Sequence, residues 1–154
     1  MKPYLRIRRF PYEEPYHLHV VIPVSNGRTS GELEFYTTPD ALTSWADHLE
    51  VFPRHKNDVF LTEIGSERLE DRWAYYIRFR VFITDNLGHC ALHFRFSNNR
   101  PLPHLDLFEF CIEADAAAIN RLGTLLRGFA KLEHELLAWD LTSGDLFVKA
   151  SDYE

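Results

Sequence analysis

The chain has 154 residues, of which 45% are hydrophobic, 14% aromatic and 26% charged. That apolar fraction excludes wholesale disorder, and the length suits one domain spanning 1–154 with one core. Its net charge of −6, from 17 basic and 23 acidic side chains, argues against a nucleic-acid binder on composition.

Between Met1 and Val24 the apolar residues are interrupted by Arg6, Arg8, Arg9, Glu13 and Glu14. A signal peptide needs an unbroken apolar run, and no stretch approaches the length of a membrane span. The expectation is a cytoplasmic protein with no membrane partner, whose two cysteines, Cys90 and Cys111, are reduced and buried. A disulfide between them requires their strands to be neighbours.

Residues 4–10 and 16–24 alternate as short strands, separated by Pro11 and Pro15. Asn26-Gly27 signals a turn, and Leu33 and Phe35 alternate with Glu32, Glu34 and Tyr36 in a third strand over 31–37. Thr38-Pro39-Asp40 then reads as a helix start: a capping hydroxyl, proline at the first position and an acid favoured by the helix dipole. Leu42, Trp45, Leu49 and Phe52 form its apolar stripe, and Pro53 stops it.

A strand is expected at 58–64. From Trp73 to Ile83 every second residue is apolar or aromatic, and Cys90, Leu92, Phe94 and Phe96 repeat the pattern after the turn Asp85-Asn86-Leu87-Gly88. This is an antiparallel hairpin. A further strand covers 104–112. Asp115 caps a second helix, with Ile119, Leu122, Leu126 and Phe129 as its stripe and Leu125, Leu132 and Leu136 beside it. Gly123 and Gly128 suit close approach to a sheet. The tail from 139 onward holds one short apolar run, Leu146-Phe147-Val148, which is expected to add a strand or lie across the core, with a frayed acidic end and the whole tail loosely attached. Strands in runs rather than in alternation with helices define an α+β fold: an antiparallel sheet of about six strands with both helices packed on one face.

The polar face of the hairpin carries the candidate site. A turn centred on Asn86-Leu87 sets Arg80 opposite His93 and Arg78 opposite Arg95, with Tyr76 nearby. Facing like charges are destabilising and must be answered. Two readings follow. Glu32, Glu34 or Glu63 on adjacent strands pair with the arginines, or the five residues form a basic patch for an acidic or phosphate-bearing ligand. Arginine with tyrosine is also the composition of interface hot spots.

The chemistry-bearing residues otherwise read as bland. His17 and His19 share one strand face and His89 and His93 another, so a metal site would need those strands adjacent; no H-x-x-x-H or C-x-x-C supports one. His89 points away from Cys90 within one strand, and no G-x-S-x-G elbow exists. Glu32 and Glu34, like Glu67, Glu70 and Asp71, look solvated. The seven glycines form no phosphate-cradling cluster. No catalytic residue, metal or cofactor is expected.

Four segments together carry a family resemblance: the Gly31–Tyr36 strand leading into a capped helix, the Trp73–Ile83 strand, the Asp85–His89 turn, and Ile119–Gly123 in the closing helix. Over residues 29–131 the chain resembles a group of small bacterial proteins similar to immunity proteins encoded beside wall-associated or contact-dependent toxins. It departs from them in longer N-terminal strands and in its C-terminal tail. The resemblance implies a non-enzymatic binding protein whose partner is a toxin domain, blocked by occlusion. The candidate contacts are Tyr76, Arg78, Arg80, His93 and Arg95, with the acidic end containing Asp145, Asp152 and Glu154 as a second surface. The alternatives are a small-molecule sensor using the cleft between sheet and helices, and a homodimer or larger homo-oligomer joined through an apolar sheet face.

Overall fold

The computed structural model describes residues 2–153. Its strands form two antiparallel sheets rather than the single expected sheet. In chain order the elements are β1 (Tyr4–Glu13), β2 (His17–Ser25), β3 (Ser30–Thr37), α1 (Pro39–Leu49), β4 (Val59–Gly65), β5 (Tyr76–Ile83), β6 (His89–Ser97), β7 (Leu107–Asp115), α2 (Ala116–Phe129), β8 (Leu136–Asp140) and β9 (Gly144–Phe147). The five-stranded sheet has the order β3-β2-β1-β8-β9, and the four-stranded sheet the order β4-β5-β6-β7. The α+β class stands. Alternation shows which residues lie in strands and which face is apolar, but not where the chain leaves one sheet to begin another. Here α1 is that departure.

Local chemistry sets the helix starts. Thr38 Oγ1 accepts a hydrogen bond from the Ala41 amide at 3.1 Å, and Asp115 Oδ1 accepts one from the Ala118 amide at 2.8 Å. Both helices lie against both sheets instead of covering one face of one sheet. The Trp45 ring of α1 meets Phe35 of the five-stranded sheet at 6.3 Å and Phe60 and Phe79 of the four-stranded sheet at 6.2 and 5.7 Å. Leu122 and Leu126 of α2 face the same space. One continuous core therefore joins both sheets and both helices, each large side chain in it contributing about 1.5–3 kcal/mol.

The C-terminal residues are part of this core. Trp139 is buried and its Nε1 donates to the Ala118 carbonyl at 2.8 Å, while β8 pairs with β1 from Leu136 to Asp140. The second helix stops at Phe129, short of Leu132 and Leu136: Leu132 takes a left-handed conformation (φ 64°), and Leu136 begins β8. Arg9 secures this link by donating to the carbonyls of Leu132 and His134.

The cysteines occupy opposite faces of the four-stranded sheet. Cys90 is buried as expected, but Cys111 is exposed, and both are free. Their strands are neighbours, yet Cys90 pairs with Ala114 and Cys111 with His93, so one thiol points to the core and the other to solvent.

Candidate functional site

The five residues singled out on the hairpin lie together on the outer face of the four-stranded sheet. The register sets Arg80 beside His93, Arg78 beside Arg95 and Tyr76 beside Ser97. Carboxylates answer most of their charge. Glu63 on β4 accepts from the Tyr76 hydroxyl at 2.6 Å and lies 3.7 Å from Arg78, whose Nε donates to the same hydroxyl. Arg95 forms two 2.9 Å bonds to Glu67 and one of 3.0 Å to Glu109, and Glu109 also holds His93 Nε2 at 2.6 Å. Glu32 and Glu34, also considered as partners, belong to the other sheet.

The ionisation states follow from this geometry. The His93 contact, with Arg95 behind it, lowers the Glu109 pKa, and the Arg95 contact lowers that of Glu67. Burial and the Glu63 bond raise the Tyr76 phenol. Burial also raises the Cys111 thiol, against the opposing pull of the Arg80 charge, which keeps it protonated at neutral pH. Arg80 is the exception on this face. Among the described residues no carboxylate pairs with it; its guanidinium lies 4.4 Å from the Phe82 ring centre and its buried Nε has no partner.

The outer face of the five-stranded sheet carries a feature the sequence reading did not single out. Along β1 the outward residues are Tyr4, Arg6, Arg8 and Phe10, with Tyr12 beyond a bulge. Rings continue across the strands in a ladder. Arg8 lies 4.8 Å from the Phe10 centre, Phe10 5.3 Å from His19, His19 5.0 Å from Tyr36 and Tyr36 4.9 Å from Tyr12. Tyr12 and Tyr36 are 55% and 52% exposed. His19 is anchored by Glu34 at 2.7 Å. Arg8 is exposed, and no carboxylate among the described residues pairs with it. Arg6 lies between the rings of Tyr4 and Tyr153, at 4.4 and 4.9 Å. The alternation of tyrosine, arginine and phenylalanine in β1 was the available signal; read as strand periodicity alone, it gave only a face.

Stacking decides what this ladder can touch. His19 and Tyr36 turn their faces to each other, at an interplanar angle of 24°. Phe10 and Tyr12 are tilted to their neighbours, at 35° and 50°, so the surface on offer combines ring faces and edges, tyrosine hydroxyls and the Arg8 guanidinium. That set suits carbonyls, carboxylates and apolar side chains.

The other histidines are placed apart. His17 and His19 are on one sheet and His89 and His93 on the other. Among the described residues no three His, Cys, Asp or Glu side chains converge as metal ligands. His89 Nδ1 sits 2.5 Å from Asp85 Oδ2, and Asp85 Oδ1 accepts from the amides of Leu87 and His89. This contact raises the His89 pKa and lowers that of Asp85. The pair staples the β5–β6 turn at the edge of a cleft of about 560 Å³ lined also by Thr84, Glu113, Asp115 and Thr142. The space between sheets and helices, by contrast, amounts to about 10 Å³, room for one water at most. No helix among the described residues is long and apolar enough to cross a membrane. The acidic C-terminal surface divides: Asp145 is exposed on β9 and Asp152 exposed beyond it, and Glu154 lies outside the described residues.

Fold and surface together describe an α+β module of two antiparallel sheets with a ring-and-guanidinium face on one of them. No family model matches the chain, and no curated protein matches it. One solved structure, that of the plant transcriptional regulator PBF-2, is similar, with a TM-score of 0.49 and 10% sequence identity over 84% of this chain and 76% of that chain.

Proposed function

We propose that this chain is a non-enzymatic protein-binding module of the immunity type, which covers the working surface of a cognate toxin domain. The observation that carries the reading is the ladder Arg8–Phe10–His19–Tyr36–Tyr12 on the five-stranded sheet. Tyrosine and arginine dominate binding hot spots because each combines apolar area with a directed polar group at modest entropic cost. These side chains stand on strands, so little order has to be gained on binding. Arg8 supplies the charge that selects a partner carboxylate, and the neighbouring rings exclude water from that pair. The hairpin face is the weaker docking surface, since Glu63, Glu67 and Glu109 already satisfy Arg78 and Arg95.

The test is affinity capture from the native cell extract, with wild type beside the double variant Arg8→Glu/Tyr36→Ala. Wild type is expected to retain one stoichiometric protein whose toxic activity falls in the complex. The variant is expected to lose it by at least 100-fold in affinity, on the order of 3 kcal/mol for two hot-spot residues, with the melting temperature unchanged. Retention of that partner by the variant would move the interface elsewhere, and a co-purifying metabolite in place of a protein would overturn the reading.

A further inference from the structure

The four sheet edges are unequally guarded. Natural edges avoid pairing by being short, by carrying charge or by containing proline. β9 has four residues, β3 turns Glu32 and Glu34 to solvent, and β7 turns Glu109 and Glu113 to solvent. β4 has seven residues, Val59–Gly65, with neither proline nor lysine among them. Its outward residues are Val59, Leu61 and Glu63, set beside Phe82, Arg80 and Arg78 of β5. Val59 and Leu61 are 47% and 50% exposed. The one charge on this edge is Glu63, which binds Tyr76 and faces Arg78, where β3 and β7 each present two carboxylates.

We propose that β4 is a self-association edge: two copies of the chain pair antiparallel through β4 about a two-fold axis, joining two four-stranded sheets into one of eight. Complementarity selects a second copy as the occupant. Full overlap of Val59–Gly65 with itself places Thr62 on the axis, Phe60 opposite Ile64 and Leu61 opposite Glu63 of the second copy. The inward residues Phe60 and Ile64 then extend the apolar face across the junction, and Thr62 meets Thr62, a favourable cross-strand pair. On the outer face the row becomes Arg80, Leu61, then Glu63 of the second copy. Arg80, the cation of this face with no carboxylate among the described residues, then has the second copy's Glu63 two strand spacings away across Leu61, a long-range attraction that symmetry supplies twice. Val59, exposed in one copy, falls opposite Gly65 of the other, which Tyr75 and the Trp73 ring flank.

A junction of one strand pair is small, so the dimer is weak. Sedimentation equilibrium on the full chain is expected to show a reversible monomer–dimer transition between about 1 and 300 μM. Leu61→Lys, which installs the usual edge guard, is expected to leave only monomer over that range, and Val59→Lys to do the same should Leu61→Lys fold poorly. Arg80→Glu is expected to weaken the dimer at least tenfold. Melting temperatures should stay within about 2 °C of wild type, because all three positions reach the surface. The ladder variant Arg8→Glu/Tyr36→Ala should dimerise like wild type, which separates this inference from the partner-binding one. A wild-type chain monomeric throughout the range overturns the proposal, as does a dimer that survives both lysine variants or one that the ladder variant abolishes.

Discussion

Asp58 shows what a single buried carboxylate does for this molecule. It is 2% exposed at the start of β4, and four contacts converge on it: the Arg54 amide, Nε and guanidinium, and His48 Nε2 at the end of α1. The Arg54 bonds, with the backbone and His48 contributions behind them, hold its pKa far below the ordinary carboxylate range. A depressed acid stabilises the fold fully above its unfolded pKa of about 3.9, and that contribution is lost as pH falls through the folded value. Asp58→Asn is therefore expected to cost about 2 kcal/mol at pH 7, the scale of hydrogen bonds to a charged group. The cost should shrink steadily below about pH 4, where the unfolded wild-type chain takes up a proton that folded Asp58 still refuses. Urea melts of both proteins at pH 7, 5 and 3 check this, and a penalty independent of pH would show that shape rather than charge matters at the site. Nothing in the local pattern Arg54-His55-Lys56-Asn57-Asp58 marks this acid as different from its solvated neighbours. Its burial arises because α1 and β4 close over it, and that closure depends on tertiary packing.

At the scale of elements, Gly123 decides how closely the two helices approach. A Cβ there would lie 2.5 Å from the Glu50 amide nitrogen and 2.9 Å from the Leu49 carbonyl carbon. Both atoms are backbone at the end of α1, and they cannot yield cheaply. The helix stop is fixed at the same spot by Asn120, whose Nδ2 donates to the carbonyls of Leu49 at 2.9 Å and Phe52 at 2.8 Å. Helix propensity alone gives Gly→Ala about 1 kcal/mol of stabilisation. Steric overlap against fixed backbone opposes it with about 1–3 kcal/mol, so Gly123→Ala is expected to destabilise by about 1 kcal/mol net, up to about 2. Gly128 is the internal control: a Cβ there meets only the Leu146 Cδ1 at 2.8 Å, the movable end of a side chain. Gly128→Ala should be neutral or stabilising, and thermal melts of the pair give the two signs. The sequence marks both glycines as sites of close approach, but the expected neighbour, a sheet, is correct only for Gly128, which touches β9. The hairpin was more legible. Its turn residues and alternation alone set Arg80 against His93, because a two-strand register depends on local chemistry. Glu67 and Glu109, which neutralise Arg95, come from a loop and from the next strand over, and no local rule points to them.

At the scale of the whole molecule, the chain returns to its own beginning. β8 pairs with β1, Leu136 with Arg8 128 residues earlier, and so joins β9 to the three consecutive strands β1, β2 and β3. Such non-local pairing leaves no periodic trace. Leu136-Leu137-Ala138-Trp139 reads equally as the end of a helical stripe or the start of a tail. The consequence is measurable with two truncations. Ending the chain after Val148 removes the turn holding Tyr153, whose ring covers Arg6 and packs at 5.2 Å against Phe147. That loss amounts to about 0.5–1 kcal/mol, a fall of a few degrees in melting temperature. Ending it after Ala138 removes Trp139 from the core together with all of β9, which pairs with β8 from Leu136 to Trp139. The tryptophan alone is worth about 3–5 kcal/mol, a large share of the roughly 5–15 kcal/mol that holds a domain of this size. The shorter chain is expected to show no cooperative melt, or one lowered by more than about 10 °C. Two truncations that melt alike would mean that β1 needs no partner on that side. The sheet bearing the aromatic ladder would then be complete with three strands, and its rigidity would have to come from the ladder itself.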